Sequence, residues 1–118
     1  MDNPNERREF VRLDYATPLV YKICKKETIS KLLEGYTSNI SPNGLLCNVR
    51  ESVNPDDILW LSFDRRLLSI CEKLEKRVFI YQNGIIGKVA RVEPKGSDNF
   101  DVGLKFITRE EPGFTIRI

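Results

Sequence analysis

Ile85-Ile86-Gly87-Lys88-Val89-Ala90-Arg91-Val92-Glu93, then Pro94-Lys95-Gly96-Ser97-Asp98, then Phe100-Asp101-Val102-Gly103-Leu104-Lys105-Phe106-Ile107 is the stretch that decides the fold class. Apolar and polar residues alternate on both sides of a cluster of turn formers. That is the pattern of two antiparallel strands joined by a tight connection. Moving outward, Val78-Phe79-Ile80-Tyr81 reads as a strand and Gln82-Asn83-Gly84 as a bend. Ile58-Leu59-Trp60-Leu61-Ser62-Phe63 reads as a buried strand after the turn Asn54-Pro55-Asp56-Asp57. Between them, Leu67, Ile70, Cys71, Leu74 and Val78 recur at helical spacing, so 64–77 is expected to hold a short amphipathic helix with Asp64 as its N-cap.

Further toward the N-terminus, Leu45–Val49, Leu32–Ser38 and Leu19–Ile23 are strand-like, with Lys25-Lys26-Glu27 as a turn. Ser41-Pro42-Asn43-Gly44 has the composition of a turn, because proline presets φ and glycine takes φ > 0 without strain. We expect it to join 32–38 and 45–49 as a hairpin. Five or six short strands at regular spacing predict an all-β protein, a closed antiparallel barrel without exposed edges.

The 118 residues make one domain, large enough to fold around a core of its own. The charge is nearly balanced, with 19 basic against 17 acidic residues and a net +2, which argues against binding DNA or RNA by charge alone. Three cysteines, Cys24, Cys47 and Cys71, are odd in number and widely spaced. They form neither a disulfide framework nor a zinc site and read as reduced core residues. Reduced thiols, the lack of a secretory pattern in the opening residues and the shortness of every apolar run predict a cytoplasmic protein not inserted in a membrane. The chain has no histidine, which removes the commonest general base and metal ligand. The adjacent carboxylates Asp56-Asp57 and Glu110-Glu111 lie beside prolines in turns. We therefore expect no enzyme activity, metal or cofactor.

Two segments stand apart from the scaffold. Arg7-Arg8-Glu9-Phe10-Val11-Arg12 sits in a polar stretch, residues 1–12, expected to be a flexible arm ahead of the domain at 13–118. Arg8 and Arg12, four apart, share a side in either helix or strand. A guanidinium can pair bidentately with phosphate or a guanine edge, and can stack on a base. Asn39-Ile40-Ser41-Pro42-Asn43-Gly44 supplies an amide and a hydroxyl on one face. Alone, the first is an ordinary solvated charge cluster and the second an ordinary turn. Together they are informative: at residue frequencies of about 5–7%, an unrelated chain carries both less than about one time in a thousand.

The pair Glu6-Arg7-Arg8-x-x-x-Arg12 and Asn39-x-Ser41-x-x-Gly44 resembles the RxxxR and [D/N]xSxxG motifs of PilZ domains. Gly87–Val92 and Val102–Phe106 resemble that family's closing strands, so the likeness spans roughly residues 6 to 108. It implies a six-stranded antiparallel, Greek-key-like β-barrel with one short helix that binds cyclic di-GMP, a bacterial second messenger. By resemblance, Arg7, Arg8 and Arg12 hold phosphates and guanine edges, Asn39 and Ser41 contact a guanine, and Gly44 shapes the turn. Asn39 replaces the commoner aspartate and lacks its charge. The expected mechanism is arm ordering over the ligand, relayed to a downstream protein partner.

Two other functions compete. One is a PilZ-shaped protein-interaction module that works without nucleotide and docks through 64–77. The other is a single-stranded nucleic-acid binder on an OB-like barrel, using Phe10, Tyr15, Tyr21 and Tyr36 as stacking platforms. The intact motifs weigh against the first and the near-neutral charge against the second.

Overall fold

A computed structural model of the chain describes residues 9–14, 17–25, 27 and 38–109. Its strands are β1 (Phe10–Arg12), β2 (Val20–Ile23), β3 (Ser38–Val49), β4 (Ile58–Ser62), β5 (Ile80–Tyr81), β6 (Gly84–Gly96) and β7 (Asn99–Arg109). One helix, α1 (Arg65–Leu74), lies between β4 and β5. The expected strand at 32–37 and the tail after 109 lie outside the described residues.

The stretch from 85 to 107 folds as its alternation predicts. Leu104, Phe106, Val102, Ile85 and Val89 are turned inward and fully buried, while Asp101, Lys105, Lys88 and Arg91 take the other face. The hairpin between β6 and β7 closes at Ser97-Asp98, between the pair Gly96↔Asn99, with Asp98 at φ 61°. Pro94 falls inside β6, opposite Phe100 and next to the register shift between Pro94 and Gly96, the irregular part of a strand where proline is tolerated. Gln82 and Asn83, both at positive φ (50° and 61°), make the two-residue turn between β5 and β6.

The sheet runs β1-β3-β7-β6-β4-β2, with β5 paired to β6 off this path. Two expectations fail here. The sheet is mixed rather than antiparallel, because β1 pairs parallel to β3. It is also open: β1 and β2 stand at opposite ends of the path and do not bond to each other, so there is no closed six-stranded barrel. The physical reason lies in the ends. β1 is three residues long and β2 four, so each end of the sheet offers few backbone groups for a closing ladder. Helix α1 adds Leu68 and Cys71 to the core cluster that holds Leu45, Leu59, Leu61, Val89 and Phe106.

Helix α1 begins where Asp64 Oδ1 accepts the Leu67 N–H at 2.9 Å, the N-cap arrangement expected from the sequence. It ends at Glu75, whose backbone has left the helical region (φ −139°). No helix among the described residues is long and apolar enough to cross a membrane. A second, smaller apolar cluster, Phe79, Ile86 and Ile107 with Ile58 and Trp60, seals part of the opposite face of the sheet.

Candidate functional site

Ser41-Pro42-Asn43-Gly44 is not a hairpin turn. It is a bulge inside one continuous strand, β3, between the pairs Ile40↔Ile107 and Gly44↔Lys105. Local turn propensity is overridden because both flanks pair with the same neighbour, β7. Gly44 is needed here for space rather than for a turn. A Cβ at this position would sit 1.8 Å from the Leu104 carbonyl oxygen and 2.8 Å from Phe10 Cε2.

The missing side chain lets β1 come in alongside. Phe10, Val11 and Arg12 pair with Gly44, Leu45 and Leu46. The Gly44 N–H donates to the Glu9 carbonyl at 3.0 Å, and the Leu13 N–H donates to the Leu46 carbonyl at 2.9 Å. The Glu9 N–H donates to Asn43 Oδ1 at 3.0 Å. Val11 and Leu13 turn toward the core, which anchors the strand, and Arg12 is left exposed on the outer face. The two motif segments, whose nearest residues are 27 apart in sequence, are thus neighbours on one side of the sheet.

The predicted site residues divide as follows. Arg12 and Gly44 lie together at β1 and β3. Asn39 is in β3, opposite Thr108, and its side chain is outside the described part of the structure. Arg7 and Arg8 lie outside the described residues. Ser41 is 4% exposed, and its hydroxyl is already engaged. It donates to Glu75 Oε1 at 2.6 Å and accepts the Asn43 N–H at 2.9 Å. In this geometry Ser41 shapes the bulge and ties it to the end of α1.

Beside Arg12, the outer face holds a cleft of about 230 Å³ lined in part by Arg12, Leu46, Arg91, Lys95, Asp101 and Gly103. The register explains it. Arg12 lies opposite Leu46, Leu46 opposite Gly103, and Gly103 opposite Arg91. Gly103 keeps the floor low, and arginines stand at both ends of the row, about 14 Å apart at strand spacings of about 4.8 Å. Neither arginine has an ion-pair partner among the described residues. Lys95 lies 3.9 Å from Glu93, a solvent-exposed contact worth little. Asp101 is held by the Asn48 amide at 2.9 Å. The row therefore offers an anion two guanidiniums across a flat, partly apolar floor.

Sequence reasoning passed over Arg91, Asn43 and Glu75. Arg91 stood in a segment read as scaffold, and alternation from the buried Val89 would have turned it inward; the register shift between Val89 and Arg91 is what sets it on the outer face. Asn43 was absorbed into the supposed turn. Glu75 carried no local signal, since its partner Ser41 is 34 residues away. Elsewhere the thiols of Cys47 and Cys71 are pushed up to about 12, in both cases mainly by burial. No group of three or more His, Cys, Asp or Glu residues among those described could hold a metal ion.

The family model described as PilZ domain matches residues 6–113. Curated proteins and solved structures give no match.

Proposed function

The chain belongs to the PilZ domain family, non-catalytic binding modules associated with cyclic di-GMP, and on that premise we propose that it is a cyclic di-GMP receptor whose ligand lies on the outer face of the sheet beside β1. The observation that carries this reading is the parallel pairing of β1 with β3, which sets Arg12 next to the Ser41–Gly44 bulge. Arg7 and Arg8 immediately precede Glu9 in the sequence, the residue strapped to Asn43 and Gly44. Arg7, Arg8 and Arg12 hold the phosphates and guanine edges, and Asn39 contacts a guanine. Arg91, across Leu46 and Gly103, offers a second cation to a ligand that carries two phosphate charges. Ser41 supports the bulge from beneath.

A micromolar Kd corresponds to roughly −8 kcal/mol. Charge-assisted hydrogen bonds at about 1.5–3 kcal/mol each supply that after the cost of ordering the arm. Isothermal titration with cyclic di-GMP, with GTP as control, tests the reading in the parent protein and in Arg12→Ala. The expected outcome is binding in the parent and a loss of at least about tenfold in the variant, with unchanged circular dichroism. Equal affinity in both, or no heat in the parent, overturns it.

A further inference from the structure

We propose that Asn43 is a positioning residue that couples the arginine arm to the C-terminal end of α1, so that occupancy of the site is felt at the helix. What occupies the site is taken from the cyclic di-GMP reading above; the coupling itself stands on hydrogen bonds at both ends of one side chain. Asn43 Oδ1 accepts the Glu9 N–H at 3.0 Å, and Asn43 Nδ2 donates to the Leu74 carbonyl at 3.3 Å. Both partners are backbone groups of fixed polarity, so the orientation of the amide is unambiguous.

The Leu74 carbonyl is one of the last four of α1, which have no partner inside the helix. Asn43 therefore caps α1 from a different element. An amide is a rigid plane, so its two ends cannot move independently. A displacement of Glu9 that drags Oδ1 also draws Nδ2 away from Leu74. A second link runs beside the first. The Asn43 N–H donates to Ser41 Oγ, and Ser41 Oγ–H donates to Glu75 Oε1, the carboxylate of the residue that ends the helix. Glu75 also accepts the Arg77 N–H through Oε2 at 3.3 Å and donates its own N–H to Cys71 at 2.9 Å. The helix end and the bulge are thus tied by amide to carbonyl and by hydroxyl to carboxylate.

The two sides differ in strength. The contacts to Leu74 and Glu75 are partly buried, whereas the contact to Glu9 is exposed. Water competes for the arm end, so that end responds first when a ligand draws on the arm. The inner end then transmits the change to the last turn of α1.

Hydrogen exchange without ligand tests the coupling directly. Phe10→Ala loosens β1 by removing the ring that lies against Gly44. In the parent background this is expected to speed exchange of the Glu75 amide about fivefold, the worth of roughly one neutral hydrogen bond. In the Asn43→Ala background the same change is expected to speed Glu75 exchange less than about twofold, because only the link through the Asn43 backbone N–H and Ser41 is left. Equal acceleration in both backgrounds, or none in either, overturns the coupling. If Asn43→Ala does not fold, Asn43→Asp serves instead, because it keeps the acceptor for Glu9 and removes the donor to Leu74. Cyclic di-GMP is then added to the parent. Binding that leaves Glu75 exchange unchanged also overturns the coupling. An intact ligand-free coupling with no heat of binding overturns the ligand reading alone.

Discussion

Replacing Gly44 by alanine is the sharpest test of how the site is built. The new Cβ would lie 1.8 Å from the Leu104 carbonyl oxygen and 2.8 Å from Phe10 Cε2. A carbon–oxygen contact needs about 3.3 Å, so the carbonyl must retreat by about 1.5 Å. Leu104 belongs to the middle of β7 and is fully buried, so this is a backbone shift that no side-chain rotation relieves. Separating β3 from β7 there weakens two or three ladder bonds at about 1 kcal/mol each and opens packing around Leu45 and Leu104. The expected loss is about 3–5 kcal/mol, a large share of the 5–15 kcal/mol typical of a domain. Urea unfolding followed by the fluorescence of Trp60, the single tryptophan, reads this directly. Gly96→Ala is the control, since its Cβ would have nothing nearer than Asn99 Cβ at 3.9 Å, and it should cost less than about 0.5 kcal/mol. A Gly44→Ala protein within about 1 kcal/mol of the parent would refute the close-approach argument.

Two further outcomes follow from buried groups. Ser41→Ala leaves the Asn43 N–H and the Glu75 carboxylate without their shared partner, and should lower stability by about 1–3 kcal/mol in the same urea assay; an unchanged midpoint would show the hydroxyl to be dispensable. The thiols of Cys47 and Cys71 are raised to about 12 from an ordinary 9.0, so the unfolded chain releases these protons first as pH rises. Their contribution is complete below pH 9.0 and is lost between 9.0 and about 12, a declining slope that Cys71→Ala should make shallower in denaturation curves taken across that window. An identical slope in the variant would contradict a buried, neutral Cys71.

The strands were legible wherever alternation was long and had one buried face, as in β6 and β7 or in Ile58–Ser62. The helix was legible because Leu67, Ile70, Cys71 and Leu74 recur at its period and Asp64 stands at its start, although the buried face also takes in Leu68, which that series skipped. Closure was not legible, because whether the two ends of a sheet bond depends on pairings far apart in sequence. Phe10–Arg12 looked like a polar arm, yet Val11 finds a core neighbour and β3 offers a free edge, so the segment adds as a parallel strand. Ser41–Gly44 misled for the opposite reason: its residues favour a turn in isolation, and pairing with β7 prevails. The motif pattern linked two segments that β1 and β3 set side by side, but could not say that the Ser41 hydroxyl is already spent on Glu75, since that contact joins residues with no shared periodicity.

The three-residue length of β1 has a consequence beyond placing an arginine. Along Gly44–Leu46 it shields backbone groups that would otherwise face solvent as an unpaired strand margin, the kind of surface that recruits any passing extended chain. The far margin, β2, is guarded differently, with Lys22 set between the exposed Val20 and Ile23. Keeping β1 seated therefore also keeps copies of the protein from zipping together, and a fragment trimmed past Arg12 trades a recognition element for a tendency to clump.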